Sequence, residues 1–305
     1  MAESNPLFEQ LKELTTEQRN PRTGRIDLAA TTKILELMND EDATVAACVR
    51  RAIPDVARAV ELVTAAFRAG GRLFYAGAGT SGRLGILDAA ECPPTFGVEP
   101  EMVQGIIAGG RDTVFRSREG VEDHESAGVE DVAAHGVGPR DVLVGVAASR
   151  RTPYVLGALR EAKQRGARTV FLRCNEGPDP GADVVITVVV GPEAITGSTR
   201  LKAGTAQKMV LNMITTASMV KLGKVYQNLM VDVRPNSAKL IERAKGIVMM
   251  LTGLGYEDAA RVYEAAGRQV KVAVMMERLG IGAPEAGERL RAADGFLARA
   301  LGEKE

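Results

Sequence analysis

Apolar positions change their period twice along the chain. After a polar opening they recur at helical spacing, from Leu28 to Met38 and again from Thr44 through Val56 to Phe67, which predicts N-terminal helices packed as an appendage. From Gly71 the pattern shortens into apolar runs, most of them rich in β-branched residues: Leu73 to Tyr75, Val103 to Ile107, Val142 to Val146, Thr169 to Leu172 and Val184 to Val190. Helix-length segments lie between the runs, at Thr80 to Ala90, within Asp112 to Ala134, and at Pro153 to Arg165. Strand and helix therefore alternate, which predicts an α/β fold with a doubly wound, parallel five-stranded sheet in the flavodoxin-like order 2-1-3-4-5. Beyond the fifth run, Ala206, Met209, Val210, Met213, Ala217 and Val220 keep one apolar stripe through a long helix. From about Asn236 short helices are punctuated by Gly280, Gly282 and Pro284, as in a small C-terminal helical domain. The expected division is a helical segment over 1–61, a ligand-binding domain over 62–227 and a helical domain over 228–305, with Asn228 to Ser237 as connector.

Composition narrows the chemistry more than the fold. With 305 residues, 45% apolar and 26% charged, the chain reads as globular, and 39 basic against 39 acidic residues leave no global field for nucleic acid or an anionic membrane. Any anion site has to be local. The opening MAESNPLFEQLKEL lacks a basic region followed by an apolar core, and no run approaches the roughly 18 to 20 apolar residues of a membrane span, so a cytoplasmic location is expected. Cys48, Cys92 and Cys174 are scattered, and His124 and His135 are the only histidines, which supports neither a disulfide framework nor a zinc site. Carboxylates, hydroxyls and backbone are left to do the chemistry.

A strand running into Gly77-Ala78-Gly79-Thr80-Ser81-Gly82 and then a helix is the sharpest local signal. Glycines permit close backbone approach, the first helical turn leaves amides unpaired, and Thr80 and Ser81 add hydroxyls, all suited to phosphate. A structural strand-to-helix turn satisfies the same pattern. A dinucleotide is disfavoured, because the second strand ends in Ile107-Ala108-Gly109-Gly110 without the acidic residue that reads ribose. A second loop, Ser149-Arg150-Arg151-Thr152-Pro153, follows the third strand and reads either as a binding loop or as an ordinary helix cap. In a 2-1-3-4-5 sheet the loops after strands 1 and 3 flank the switch point where ligands bind, so Gly79, Thr80, Ser81 and Gly82 are expected to share one pocket with Ser149, Arg151 and Thr152. Gly197-Ser198-Thr199-Arg200-Leu201-Lys202, ahead of the long helix, offers Ser198 as a further donor or is a solvated cap.

The stretch GAGTSGRLGILDAAECPPTFGV, together with GPEAITGSTRLKAGTAQKMVLNM and GKVYQNLMVDV, resembles the N-acetylmuramic acid 6-phosphate etherases of bacterial cell-wall recycling. The likeness runs from Thr16-Glu17 and Asn20 through Glu41-Asp42 into the C-terminal helices. It implies a sugar-isomerase (SIS) domain binding a small sugar phosphate, a homodimer, no cofactor and no metal, and conversion of N-acetylmuramic acid 6-phosphate and water to N-acetylglucosamine 6-phosphate and D-lactate. It further implies that Glu91, in the AECPPT motif, is the proton donor and Glu122, in the EGVED motif, its catalytic partner.

Two carboxylates suffice for that reaction. In the open-chain sugar the aldehyde acidifies the C2 proton and the C3 lactyl ether lies β to it, so elimination and then water addition are feasible with Glu122 as base and Glu91 as acid. Ten helical residues carry Glu91 about 15 Å past Ser81, so either the helix ends near Ala89-Ala90 or Glu91 serves a site shared with a second subunit. One departure stands out: members of that family read Ser-Gly-Arg-Thr-Pro where this chain has Arg150 in the glycine position, a side chain that either clamps phosphate or crowds the loop. A sugar-phosphate-sensing regulator and an aldose-ketose isomerase are the rival readings.

Overall fold

The computed structural model describes residues 11–234 and 237–303. The polar opening therefore falls partly outside the described residues, as do Pro235 and Asn236. Of the described residues, 11–89 with 101–215 form one compact unit, and 90–100 with 216–234 and 237–303 form a second.

In the first unit, strands β1 (Leu73–Gly77), β2 (Val103–Ile107), β3 (Val142–Ala147), β4 (Arg168–Arg173) and β5 (Val184–Thr187) form one sheet, all neighbours parallel, in the order β2-β1-β3-β4-β5. Every residue of β1 and β3 is buried, as the unbroken apolar runs require of central strands covered on both faces. Period-two alternation divides the faces. Phe74, Ala76 and Leu143 point into a cluster with Val132, Tyr154, Val155 and Ala158, from helices α5 (Glu125–Ala134) and α6 (Pro153–Gln164).

Helix α1 (Thr31–Asp42) precedes α2 (Val45–Arg68), and α2 packs on β1, β3 and β5. Val49, Val56, Ala59, Val60 and Val63 are buried along one stripe, so α2 is a covering layer of the sheet and not the appendage its position in the sequence suggested. Helix α3 (Gly79–Phe96) lies on the same side as Tyr75: an added Cβ at Gly85 would stand 2.7 Å from Tyr75 Cβ. α4 (Asp112–Phe115) is a single turn, so the predicted helical stretch between β2 and β3 divides into two pieces.

The long helix α7 (Lys202–Lys221) is joined to α3 by a buried polar node. Asp88 accepts hydrogen bonds from Tyr75 Oη (2.8 Å), Asn212 Nδ2 (2.6 Å) and Thr215 Oγ1 (3.2 Å). Burial raises its pKa above the ordinary carboxylate value, against the opposing effect of these donors.

The second unit is helical, with α8 (Ala238–Thr252), α9 (Tyr256–Ala265), α10 (Val270–Leu279), α11 (Ala283–Ala292) and α12 (Leu297–Ala300) around Ile247, Val248, Tyr263, Val274 and Met275. Val231 and Val233, from the stretch read as the connector, are buried in that core. Gly253 and Gly280 end α8 and α10 in the left-handed conformation at φ 77° and 65°, which accounts for the glycine punctuation. No helix among the described residues is long and apolar enough to cross a membrane.

Candidate functional site

A cavity of about 280 Å³ opens where β1, β2 and β3 end, and the loops after all three strands line it. From the first come Gly79, Thr80 and Ser81; from the third, Ser149 and Thr152; from the second, Thr113 and the stretch holding Arg118, Glu119 and Glu122. The two hydroxyl-bearing loops thus meet at the switch point, as the strand order requires.

Gly79 has φ +53° and nothing within 4 Å of a would-be Cβ, so glycine is there for conformation and for open space beside the cavity. It heads α3, where helix geometry leaves amides without an acceptor four residues back. Ser81 is nearly buried and its hydroxyl donates to Gln207 Oε1 at 2.9 Å, tying the loop to α7. Gly82 does not line the cavity. A Cβ there would stand 2.6 Å from Ile107 Cγ1 and 2.7 Å from Gly77 O, so its role in the structure is close helix-to-strand packing. Gly82→Ala is expected to destabilise the protein by about 1–3 kcal/mol, read as a lower urea midpoint.

In the second loop Ser149 Oγ and Thr152 Oγ1 lie 3.2 Å apart, and Thr152 makes no side-chain cap to α6. The cap reading of this loop therefore fails for Thr152, whose hydroxyl is turned toward Ser149. Arg151 and Arg150 are not among the residues lining the cavity. Arg150 pairs with Glu13, donates to Glu176 O at 3.2 Å, and lies over Gly177, whose missing Cβ would be 2.3 Å from Arg150 Cδ. The arginine in the family's glycine position thus makes its contacts with Glu13, Glu176 and Gly177 and not on the cavity wall.

Ser198 also stays off the cavity wall, and Thr199 takes that place. The first turn of α7 is occupied by a carboxylate: Glu193, wholly buried, accepts from Lys202 N (2.9 Å) and Ala203 N (3.0 Å). Burial raises the Glu193 pKa, while these amides and the nearby Lys202 charge act the other way. Lys202 itself is buried on Glu41 at 2.6 Å, and Arg22 reaches the other Glu41 oxygen at 2.7 Å. Lys202, the last residue of the segment that carries Ser198, is therefore held in an internal ion cluster.

Glu122 sits half-buried on a single helical turn, Val121–Asp123, that follows Gly120 at φ 78°. Earlier in the same connection, Arg83 of α3 donates to Thr113 O at 2.7 Å and Val114 O at 2.8 Å, and Arg83 lines the cavity as well. Glu91 is exposed on α3, which continues unbroken to Phe96, so the early helix end near Ala89-Ala90 does not occur. Glu91 is absent from the cavity wall. The sequence reading also missed Thr16, Glu17, Arg83 and Arg118 as lining residues. Of these, Thr16-Glu17 had a signal, since it opens the family resemblance.

Among the described residues no cluster of His, Cys, Asp and Glu could hold a metal ion. Cys174 is buried, which pushes its thiol up to about 12, so it stays protonated at neutral pH.

The family model of the glucokinase regulatory protein N-terminal SIS domain matches residues 55–163. Over 293 residues the chain is 56% identical to the N-acetylmuramic acid 6-phosphate etherase of Geobacillus sp. (strain WCH70), covering 95% of this chain and 99% of that one. The chain belongs to the N-acetylmuramic acid 6-phosphate etherase family. The etherase of Salinibacter ruber is 52% identical over 304 residues, 99% of this chain and 98% of its own. The etherase of Clostridium beijerinckii is 52% identical over 295 residues, 96% of this chain and 97% of its own. A solved phosphoheptose isomerase from Francisella tularensis is similar at 15% identity and a TM-score of 0.48, over 63% of this chain and 100% of that one.

Proposed function

We propose that the protein cleaves the D-lactyl ether of N-acetylmuramic acid 6-phosphate, giving N-acetylglucosamine 6-phosphate and D-lactate in amino-sugar recycling. The observation that carries this reading is the convergence of two hydroxyl-bearing loops and Glu122 on one cavity, in a chain that matches etherases over nearly its whole length. The hydroxyls of Thr80, Ser149 and Thr152, with the first-turn amides of α3 including that of Ser81, bind the phosphate. Glu122, at the other loop, takes the C2 proton of the open-chain sugar, and the electron pair expels the C3 lactyl oxygen, which Glu91 protonates. Water then adds at C3 of the unsaturated aldehyde with the roles reversed.

Glu91 lies ten residues beyond Ser81 on a continuous helix, about 15 Å along its axis. We assign it to the site of a second copy, so that the working form is a homodimer in which each cavity receives its acid from the partner. A verified monomeric variant with full activity would remove this assignment. The balance of 39 basic and 39 acidic residues supports a small-molecule partner over nucleic acid or membrane.

Turnover in oxygen-18 water separates the proposed reaction from its rivals. Unlabelled lactate with label at C3 of the product sugar is the expected result. Label in the lactate would mean direct attack on the lactyl carbon, and tight sugar-phosphate binding without lactate release would mean a sensing protein.

A further inference from the structure

Glu17 is a half-buried carboxylate on the wall of the same cavity as Glu122, and it makes no hydrogen bond or ion pair among the described residues. It is nonetheless held in place. Asn175, fully buried, accepts from Thr15 N (2.7 Å) and Thr15 Oγ1 (2.9 Å), and its amide nitrogen donates to Thr16 Oγ1 (3.0 Å) and Ala148 O (3.0 Å). One side chain thereby fastens the turn Thr15–Glu17 to the residue preceding Ser149 of the second loop. Gly197 N fixes the turn a second time, donating to Thr16 O at 3.1 Å. Gly197 has φ +76°, and a Cβ on it would lie 3.0 Å from Glu17 Oε2, so the backbone there gives way to the carboxylate. Fixing the backbone while leaving the carboxylate unpaired is an arrangement suited to an external partner.

We propose that Glu17 orients the substrate by accepting a hydrogen bond from a neutral sugar donor, a hydroxyl of the open chain. This rests on the sugar-phosphate reading of the cavity. The phosphate and the lactyl carboxylate are both anionic and are repelled by Glu17, which leaves the neutral donors as its partners, and of these the open-chain O–H groups lie between the two anions. A carboxylate acceptor at this point also directs the phosphate to the hydroxyl loops and away from the N-terminal turn.

The test compares Glu17→Ala and Glu17→Gln with wild type in three measurements: lactate release, N-acetylglucosamine 6-phosphate binding and inorganic phosphate binding. Losing a hydrogen bond to a charged group is expected to raise KM and the product-sugar Kd about 10- to 100-fold in Glu17→Ala, with kcat and the phosphate Kd nearly unchanged. Glu17→Gln, which keeps an acceptor oxygen, should fall between. Gly197→Ala, which displaces the carboxylate without removing it, should reproduce the KM effect. Unchanged KM and sugar affinity in Glu17→Ala would overturn the inference, and so would a fall in kcat at constant KM. Absence of lactate release by wild type would count against the etherase reading alone, since the sugar and phosphate binding measurements still decide the role of Glu17.

Discussion

Glu122→Gln is expected to lower lactate release about 100- to 10,000-fold while leaving inorganic phosphate affinity unchanged. The amide is nearly isosteric with the carboxylate and cannot take a proton at neutral pH, so the change removes general-base chemistry and little else. The local structure should tolerate it: Glu122 is only half-buried, and the turn that carries it follows Gly120 at φ 78°. Solvent deuterium exchange at C2 of the sugar then assigns the role. If Glu122 is the base, Glu122→Gln loses exchange together with lactate release. Exchange at the wild-type rate with lactate release stopped would give the base to Glu91 and the acid to Glu122. Glu91→Gln should show the complementary pattern, exchange retained and lactate release lost. In a mixed dimer of Glu91→Gln and Glu122→Gln subunits, partial activity would return if Glu91 acts across the interface, because one of the two cavities regains a complete pair.

The sheet was legible in the sequence because central parallel strands are buried on both faces, so β1 and β3 had to be continuous apolar runs, and the strand order then places their loops side by side. The loop residues Gly79, Thr80, Ser81, Ser149 and Thr152 follow from that placement. Glu122 does not, since one carboxylate in a charged loop has no pattern of its own, and it was found through the family resemblance. The length of α3 was missed for a physical reason: Pro93 and Pro94 lack N–H donors and read as terminators, yet the helical path persists through them and Gly97 N closes onto Pro93 O at 3.0 Å. Misreading that end left open a folded-back Glu91. Partners far apart in the chain were invisible as well. Thr15 and Asn175 are 160 residues apart, and Glu41 and Lys202 are 161 apart, so neither the N-terminal wall of the cavity nor the fate of Lys202 has any local signature.

The largest stability effect is expected at the buried Lys202–Glu41 pair. Lys202 and Glu41 are 3% and 2% exposed in their side chains and pair at 2.6 Å beneath α7, so removing one charge strands the other away from water. Lys202→Met should cost about 3–5 kcal/mol, towards the lower end because Arg22, itself largely exposed, still reaches Glu41. Urea denaturation at neutral pH measures the loss. The double variant Glu41→Leu with Lys202→Met removes both charges and should recover most of it, since a matched apolar pair avoids desolvating either ion. The pH dependence has a definite sign. Burial alone would raise the Glu41 pKa, but hydrogen bonds from Lys202, Asn20 and Arg22 and the Lys202 charge bring it below the ordinary 4.5 in the folded protein. With the folded value below the unfolded one, the unfolded chain binds the proton first on acidification, so the contribution is present above about pH 4.5 and fades as pH falls through the folded pKa. The stability gap between wild type and Lys202→Met should therefore narrow below pH 4.5, because protonating Glu41 weakens the wild-type pair and relieves the stranded charge in the variant. A gap that stayed constant down through that range would mean that Lys202 stabilises the fold by filling space and not by its charge.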